Sequence, residues 1–261
     1  MTKRIGIAGD WHGNKPWAID RLGDFKNADI SIILHLGDFG VWADEAGLNY
    51  LHTLNEALVA NDQMLLVTLG NHENYVMVGA FLTLTDGEFE GWQYREAEPN
   101  ILYATRGQRW EWEGVSFVSL GGANSIDRFG RTEGINWWRE EQISYGDVMR
   151  TTMGGYADIF LAHDCPAGVP LFGSHRTEES IWSDEAMEYA QYSRDTLRGA
   201  VDAVKPEILF HGHYHHFLDL NTELVDGDGE NYMLRTIGMN KDGEAENIGV
   251  LELPSKMFTL I

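Results

Sequence analysis

Five short apolar runs recur along the first two-thirds of the chain: RIGIAG (4–9), ISIILHLG (30–37), QMLLVTLG (63–70), VSFVSLGG (115–122) and ADIFLAHD (157–164). Rich in β-branched residues and separated by longer amphipathic segments, they constrain the chain to a layered α/β arrangement. Helices are expected after Pro16, over 44–60, around 139–150 and over 184–204. Ser183 should cap the last of these, and Pro206 should stop it before a strand at 207–210. Further on, FLDLNTELV, YMLRTIGM, IGVLEL and MFTLI are divided by turn chemistry such as DGDG at 226–229, and they are expected to close the fold as an antiparallel meander. No repeat, low-complexity tract or linker interrupts the pattern, so residues 1–261 are expected to form a single domain.

Composition narrows the classes of function. With 19 basic against 41 acidic residues, the formal charge of −22 repels polyanions, so long nucleic acid is not expected as a natural partner. The single cysteine, Cys165, rules out an intrachain disulfide and Cys-rich zinc or iron–sulfur motifs. No apolar run has signal-peptide length or approaches a membrane span, so a cytoplasmic protein without a membrane partner is expected.

Polar residues collect where each apolar run ends: GDWHGN, GDFG, GNHEN, HDCPAG and, after EILF, HGHYHH. Loops leaving the carboxyl ends of strands converge on one edge of an α/β sheet, so residues distant in sequence share a site. The convergent set is Asp10, His12, Asp38, Asn71, His72, Glu73, His163, His213 and His215. Imidazole and oxygen without thiolate suit manganese, iron, zinc, nickel or cobalt. Asp10 with His12, and His213 with His215, stand two apart, a spacing that in extended backbone aims both side chains to one side. So many ligands suit two ions sharing a carboxylate better than one ion that keeps open positions.

DWH (10–12), GD (37–38), GNHE (70–73), His163 and GHYH (212–215) resemble, in order, the motifs of the calcineurin-like metallophosphoesterases. The resemblance implies a four-layer sandwich of two mixed β-sheets flanked by helices, with the site at strand C-terminal ends. It also implies two divalent metal ions, manganese favoured, one held by Asp10, His12, Asp38 and His215 and the other by Asp38, Asn71, His163 and His213. Asp38 would bridge them. His72 would be the catalytic residue, protonating the leaving oxygen or stabilising transition-state charge, and Glu73 would orient it. Hydrolysis would proceed by in-line attack of a metal-bridging hydroxide without a covalent enzyme intermediate.

The sequence GDFGVWADEAG lacks the Asp-Arg-Gly of the protein serine/threonine phosphatases, whereas the His213/His215 pair resembles the phosphodiesterase and small-nucleotide branches. The expectation is therefore a phosphodiesterase whose partner is a small phosphoester substrate, a nucleotide-like, even cyclic, phosphodiester, with phosphomonoester hydrolysis or a non-catalytic metal-binding scaffold as alternatives. The loop GGANSIDRFGRTEGINWW (121–138) resembles one in bacterial and phage members of the family, and it offers Asn124, Arg128 and Arg131 for substrate binding. Trp137 and Trp138 either stack on a base or belong to the core. His35 and His52 are read as structural, His211 and His216 as support or packing, and His175 is left unassigned.

Overall fold

The structure, a computed structural model, describes residues 2–81, 84–89, 92–171 and 182–261. His175 lies outside the described residues. Strands β1 (Lys3–Ala8), β2 (Ile32–His35), β3 (Met64–Val67) and β6 (Ile101–Ala104) run parallel at the heart of an eight-stranded sheet. Its order is β14-β13-β1-β2-β3-β6-β5-β4, with β4 (Leu84–Phe89), β5 (Trp92–Glu98), β13 (Ile248–Leu253) and β14 (Met257–Leu260) antiparallel at the flanks.

The second sheet has six strands in the order β11-β12-β10-β9-β8-β7. Here β8 (Val115–Leu120), β9 (Ile159–Ala162), β10 (Ile208–His211) and β12 (Asn231–Gly238) are parallel, with β7 (Gln108–Trp112) and β11 (Leu218–Val225) antiparallel at the edges.

Period-2 alternation stacks the layers. Ile5, Ile7, Leu34 and Leu66 face Phe117, Ile159, Leu161 and Phe210 between the two sheets. The other face of the first sheet buries Ile33, Leu65 and Val67 against α1 (Lys15–Asn27) and α2 (Glu45–Asn61) through Leu22, Phe25, Leu54 and Leu58. The other face of the second sheet buries Val118, Phe160 and Leu209 against α5 (Asp184–Val204) through Leu197, Val201 and Val204. Two mixed sheets lined by helices are the four-layer sandwich expected.

Local signals fix most boundaries. Asn14, Asp44 and Ser183 cap α1, α2 and α5 through their side chains, as Ser, Asp and Asn do best. Two expectations need correction. The helix around 139–150 is a 3-10 turn at Arg139–Glu141 followed by α4 (Tyr145–Thr152), because Ser144 and Asp147 form a capping box that starts a new helix. The C-terminal strands are also not one meander: β11 and β12 complete the second sheet, while β13 and β14 pair on β1 in the first. Period 2 shows that these segments are strands and not which sheet they join. The crossing segment between β12 and β13 passes over the carboxyl end of β1, where Asp10 forms a bridge with Lys241. The helix α3 (Tyr75–Phe81) and strands β4 to β6 had no counterpart among the expected elements.

Candidate metal centre

The loops after β1, β2, β3, β9 and β10 meet at one rim. Four residues there adopt left-handed backbone: His12 (φ 45°), Asp38 (51°), His213 (68°) and His215 (55°). Such conformations are uncommon outside glycine and recur where a site fixes side-chain direction. The His12 amide donates to the Asp38 carbonyl at 2.7 Å, and the His213 amide donates to Asp10 Oδ2 at 3.0 Å, so the backbones interlock before any ligand is added. Glycine is required for this approach: a Cβ on Gly212 would fall on Asp10 Oδ1, and one on Gly37 would fall on the His163 ring.

Asp10, His12, Asp38 and His215 each offer one ligand atom within 4.8 Å of one another, and so do Asp38, His163 and His213. Asp38 belongs to both groups. Asn71 Oδ1 lies 2.9 Å from His163 Nε2, which puts it beside the second group. The residues that the resemblance implies as two ligand sets therefore stand together as two clusters sharing one carboxylate.

The chemistry of the clusters fits cations. His163 Nδ1 lies 2.7 Å from the Leu36 carbonyl and donates to it, which leaves the Nε2 lone pair facing Asn71 Oδ1 at 2.9 Å and Asp38 Oδ1 at 3.3 Å. His12 Nδ1 likewise faces Asp242 Oδ1 at 2.9 Å, turning Nε2 toward Asp38 Oδ2 at 3.5 Å. Asp38 Oδ2 is buried without a hydrogen bond. Ligand atoms thus converge around a buried, unsatisfied carboxylate oxygen, an arrangement that calls for positive charge. The same demand shows in the proton affinities. Burial pulls His12 and His163 down, but the surrounding carboxylates, Asp38 foremost and Asp10 beside it, together push them up to about 9 and about 10. Burial and the neighbouring His163 hold His213 well below its ordinary value.

His72 stands at the edge of the clusters, Nε2 3.9 Å from Asp38 Oδ2, and burial depresses its imidazole. Arg131 Nη1 lies 2.8 Å from His72 Nδ1 and Arg131 Nη2 lies 3.2 Å from His72 Nε2, while Nη2 also donates to Asp127 Oδ2 at 2.7 Å. Taking the shorter of the two His72 contacts, 2.8 Å to Nδ1, as the hydrogen bond places the His72 proton on Nε2, the nitrogen that also faces Asp38. Of the three loop residues offered for substrate, only Arg131 reaches the rim. Asn124 is buried and donates to the Tyr189 carbonyl at 2.7 Å, while Arg128 lies over the Trp137 and Tyr189 rings, both 4.7 Å to the centroid. Trp137 and Trp138 are buried, so of their two readings the structure supports packing.

Glu73 differs from expectation. Its carboxylate does not touch His72; Oε1 accepts from the Phe39 amide at 2.7 Å and Oε2 from the Gly70 amide at 2.9 Å. Two backbone amides satisfy it better than one exchangeable ring proton, and it pins the loop after β2 to the loop after β3. Burial first, then Asp38, pushes it up to about 8. His35 is buried edge-on to Trp11 and Phe39, and His52 lies on the exposed face of α2, 3.5 Å from Glu56. His211 is buried with Nδ1 on the Gly212 carbonyl, and His216 contacts the Tyr214 carbonyl.

Sequence reasoning missed Asp242, Asn247, Ser125 and Glu141. Asp242 takes Asn14 Nδ2 at 2.7 Å as well as His12, and Asn247 Oδ1 accepts from both Trp11 and Trp17 at 3.0 Å. Both lie on the crossing segment, and their only signal was a polar stretch between two strands. A cavity of about 760 Å³ adjoins the clusters, and its lining combines Asn71, His72 and His213 with the apolar side chains of Val169, Trp182 and Met187.

Two mixed sheets carrying paired Asp/His clusters at their strand ends define the class of dimetal phosphoesterases. The chain belongs to the calcineurin-like phosphoesterase family, whose model matches residues 3–217. The family depends on two metal ions, and the clustered Asp and His groups are able to bind them. Solved structures share the fold. A dimetal phosphatase from Danio rerio is similar with a TM-score of 0.53 at 11% identity, over 95% of this chain and 91% of that one. The protein TT1561 of Thermus thermophilus is similar with a TM-score of 0.55 at 10% identity, over 99% of this chain and 98% of that one. A search of the curated proteins finds no match. Among the described residues, no helix is long and apolar enough to cross a membrane.

Proposed function

We propose that the protein is a phosphodiesterase that hydrolyses small nucleotide-like phosphodiesters. The observation that carries this reading is the pair of ligand clusters sharing Asp38 at the mouth of the cavity. Asp10, His12, Asp38 and His215 hold one divalent cation, and Asp38, Asn71, His163 and His213 hold the other, manganese being favoured. Two such ions supply Lewis acidity toward phosphate oxygens and make hydroxide available at neutral pH.

The chain's own groups do the rest. His72 presents Nε2–H toward the rim, where it meets charge developing on a leaving oxygen. Arg131, held by Asp127, brings a guanidinium to the same edge and takes the place of the arginine that GDFG lacks. The size of the cavity suits a small organic phosphate. Its apolar lining residues, Val169, Trp182 and Met187, suit a second ester substituent, which a diester has and a monoester lacks.

The test is to strip metal, restore manganese and compare bis(p-nitrophenyl) phosphate with p-nitrophenyl phosphate. Faster diester cleavage, abolished in Asp38→Ala and reduced about 10²- to 10⁴-fold in His72→Ala, is expected. Preferred monoester cleavage sinks the diesterase reading, and cation binding without turnover makes the protein a scaffold.

A further inference from the structure

Glu141 is buried completely although it is a carboxylate in a 3-10 turn, and neither the clusters nor His72 touch it. Three donors converge on it: the Ser125 amide at 2.9 Å and Tyr189 Oη at 3.0 Å on Oε1, and Ser125 Oγ at 2.6 Å on Oε2. A carboxylate meeting three donors acts as the acceptor, so the single hydroxyl proton of Ser125 is committed to Glu141. Ser125 Oγ can then offer only lone pairs to its remaining neighbour, Asn71 Nδ2, 2.8 Å away. That contact turns Asn71 Oδ1 toward His163 Nε2 at 2.9 Å.

Without this polarity the amide has a second stable orientation. Cation binding needs His163 as a neutral imidazole, and with Nδ1 donating to the Leu36 carbonyl the neutral ring carries a lone pair on Nε2 that could accept from a flipped Asn71 amide. Ser125 could at the same time donate to the flipped Oδ1. In that orientation Asn71 would present N–H, which no cation accepts, to the Asp38–His163–His213 cluster.

We infer that Glu141 and Ser125 are positioning residues: Glu141 claims the Ser125 proton, Ser125 holds the Asn71 amide nitrogen, and Asn71 thereby offers its oxygen to the second cation. The inference rests on the two-cation reading above. Glu141 and Ser125 also lie at opposite ends of the segment that carries Arg131, so the same contact closes that loop on itself.

The experiment is titration of metal-free protein with Mn²⁺, read by calorimetry for stoichiometry and affinity and by electron paramagnetic resonance for spin coupling between paired ions. The wild type is expected to bind two ions as a coupled pair. Ser125→Ala should weaken one of the two by about 10- to 100-fold, the usual effect of losing a group that orients a ligand, and should show the signal of an isolated ion. Glu141→Gln, which keeps shape and burial, should move in the same direction by less, since it frees the Ser125 proton without removing the hydroxyl.

Asn71→Asp placed in the Ser125→Ala background should restore the coupled pair, because a carboxylate offers oxygen in either orientation. A purely structural role for Ser125 would not be rescued in this way. Ser125→Ala and Glu141→Gln proteins that bind both ions as the wild type does would overturn the inference. A Ser125→Ala loss that Asn71→Asp fails to restore would overturn it too. A wild type that binds no pair of ions removes the functional reading, and the positioning role falls with it.

Discussion

At the scale of single residues, the site is made of side chains whose partners are chosen by backbone geometry. His12 reaches Asp38 through Nε2 because Asp242 occupies Nδ1, and Asp242 comes from a segment 230 positions away. Replacing Asp242 with Ala should lower manganese affinity at the Asp10–His12–Asp38–His215 cluster by about 10- to 100-fold, measured by titration calorimetry, and leave the other ion in place. Arg131 makes a complementary case. On the proposed function, Arg131→Ala should lower kcat for the diester by about 10²- to 10³-fold, as loss of a donor to transition-state charge does, with metal content unchanged by elemental analysis. The ligand-bearing motifs were legible because His recurs with Asp or Asn at the ends of several strands in order, a combination that turn chemistry alone does not ask for. Asp242 was not, since a carboxylate in a turn such as NKDG has many structural uses.

At the scale of elements, the second sheet is tied down at the start of β9. Asp158 accepts Ser116 Oγ at 2.6 Å, the Ser116 amide at 2.9 Å, Lys256 Nζ at 3.0 Å and Tyr156 Oη at 3.1 Å, joining β8 and β9 to the turn before β14. Burial works against its charge, but the Ser116 donors and Lys256 outweigh burial and hold the carboxyl down at about 2. Its folded value lies below its unfolded value, so the stabilisation is present above about pH 4 and is lost as pH falls toward 2. Asp158→Asn should therefore destabilise by on the order of 1 kcal/mol at pH 7, allowing for solvent screening. The gap between the two proteins should narrow as pH falls to about 2, and urea unfolding at both pH values checks it. Strand and helix types followed from periodicity and caps. The division of the last four strands between two sheets did not, because an apolar run marks a strand without naming its partner, and the choice is made by the faces already built.

At the scale of the whole molecule, a charge of −22 surrounds a centre that gathers lone pairs. A divalent cation is drawn to such a field and an anionic phosphoester is opposed by it. Raising ionic strength from about 0.01 to about 0.15 M should then increase kcat/KM for an anionic diester, since the Debye length shrinks from about 30 Å to about 8 Å. A flat or falling profile in steady-state assays would refute that. Buried Asp10 and Asp38 repel each other without cations, so chelation by EDTA should lower the thermal midpoint and manganese should restore it in a concentration-dependent way.

What the sequence by itself determined is the kind of layers and the identity of the chemical groups. Apolar runs alternating with amphipathic helices leave an α/β sandwich as the way to bury both, and Asp and His at the run ends select cation chemistry over thiolate or nucleophile chemistry. What only the tertiary structure decided is which groups meet. Glu73 pins two loops instead of His72, Trp137 and Trp138 belong to the core, and Asp242 joins His12. Each of those outcomes depends on contacts between segments far apart in the chain, and the fold sets them through close packing and the need to pair every buried polar group.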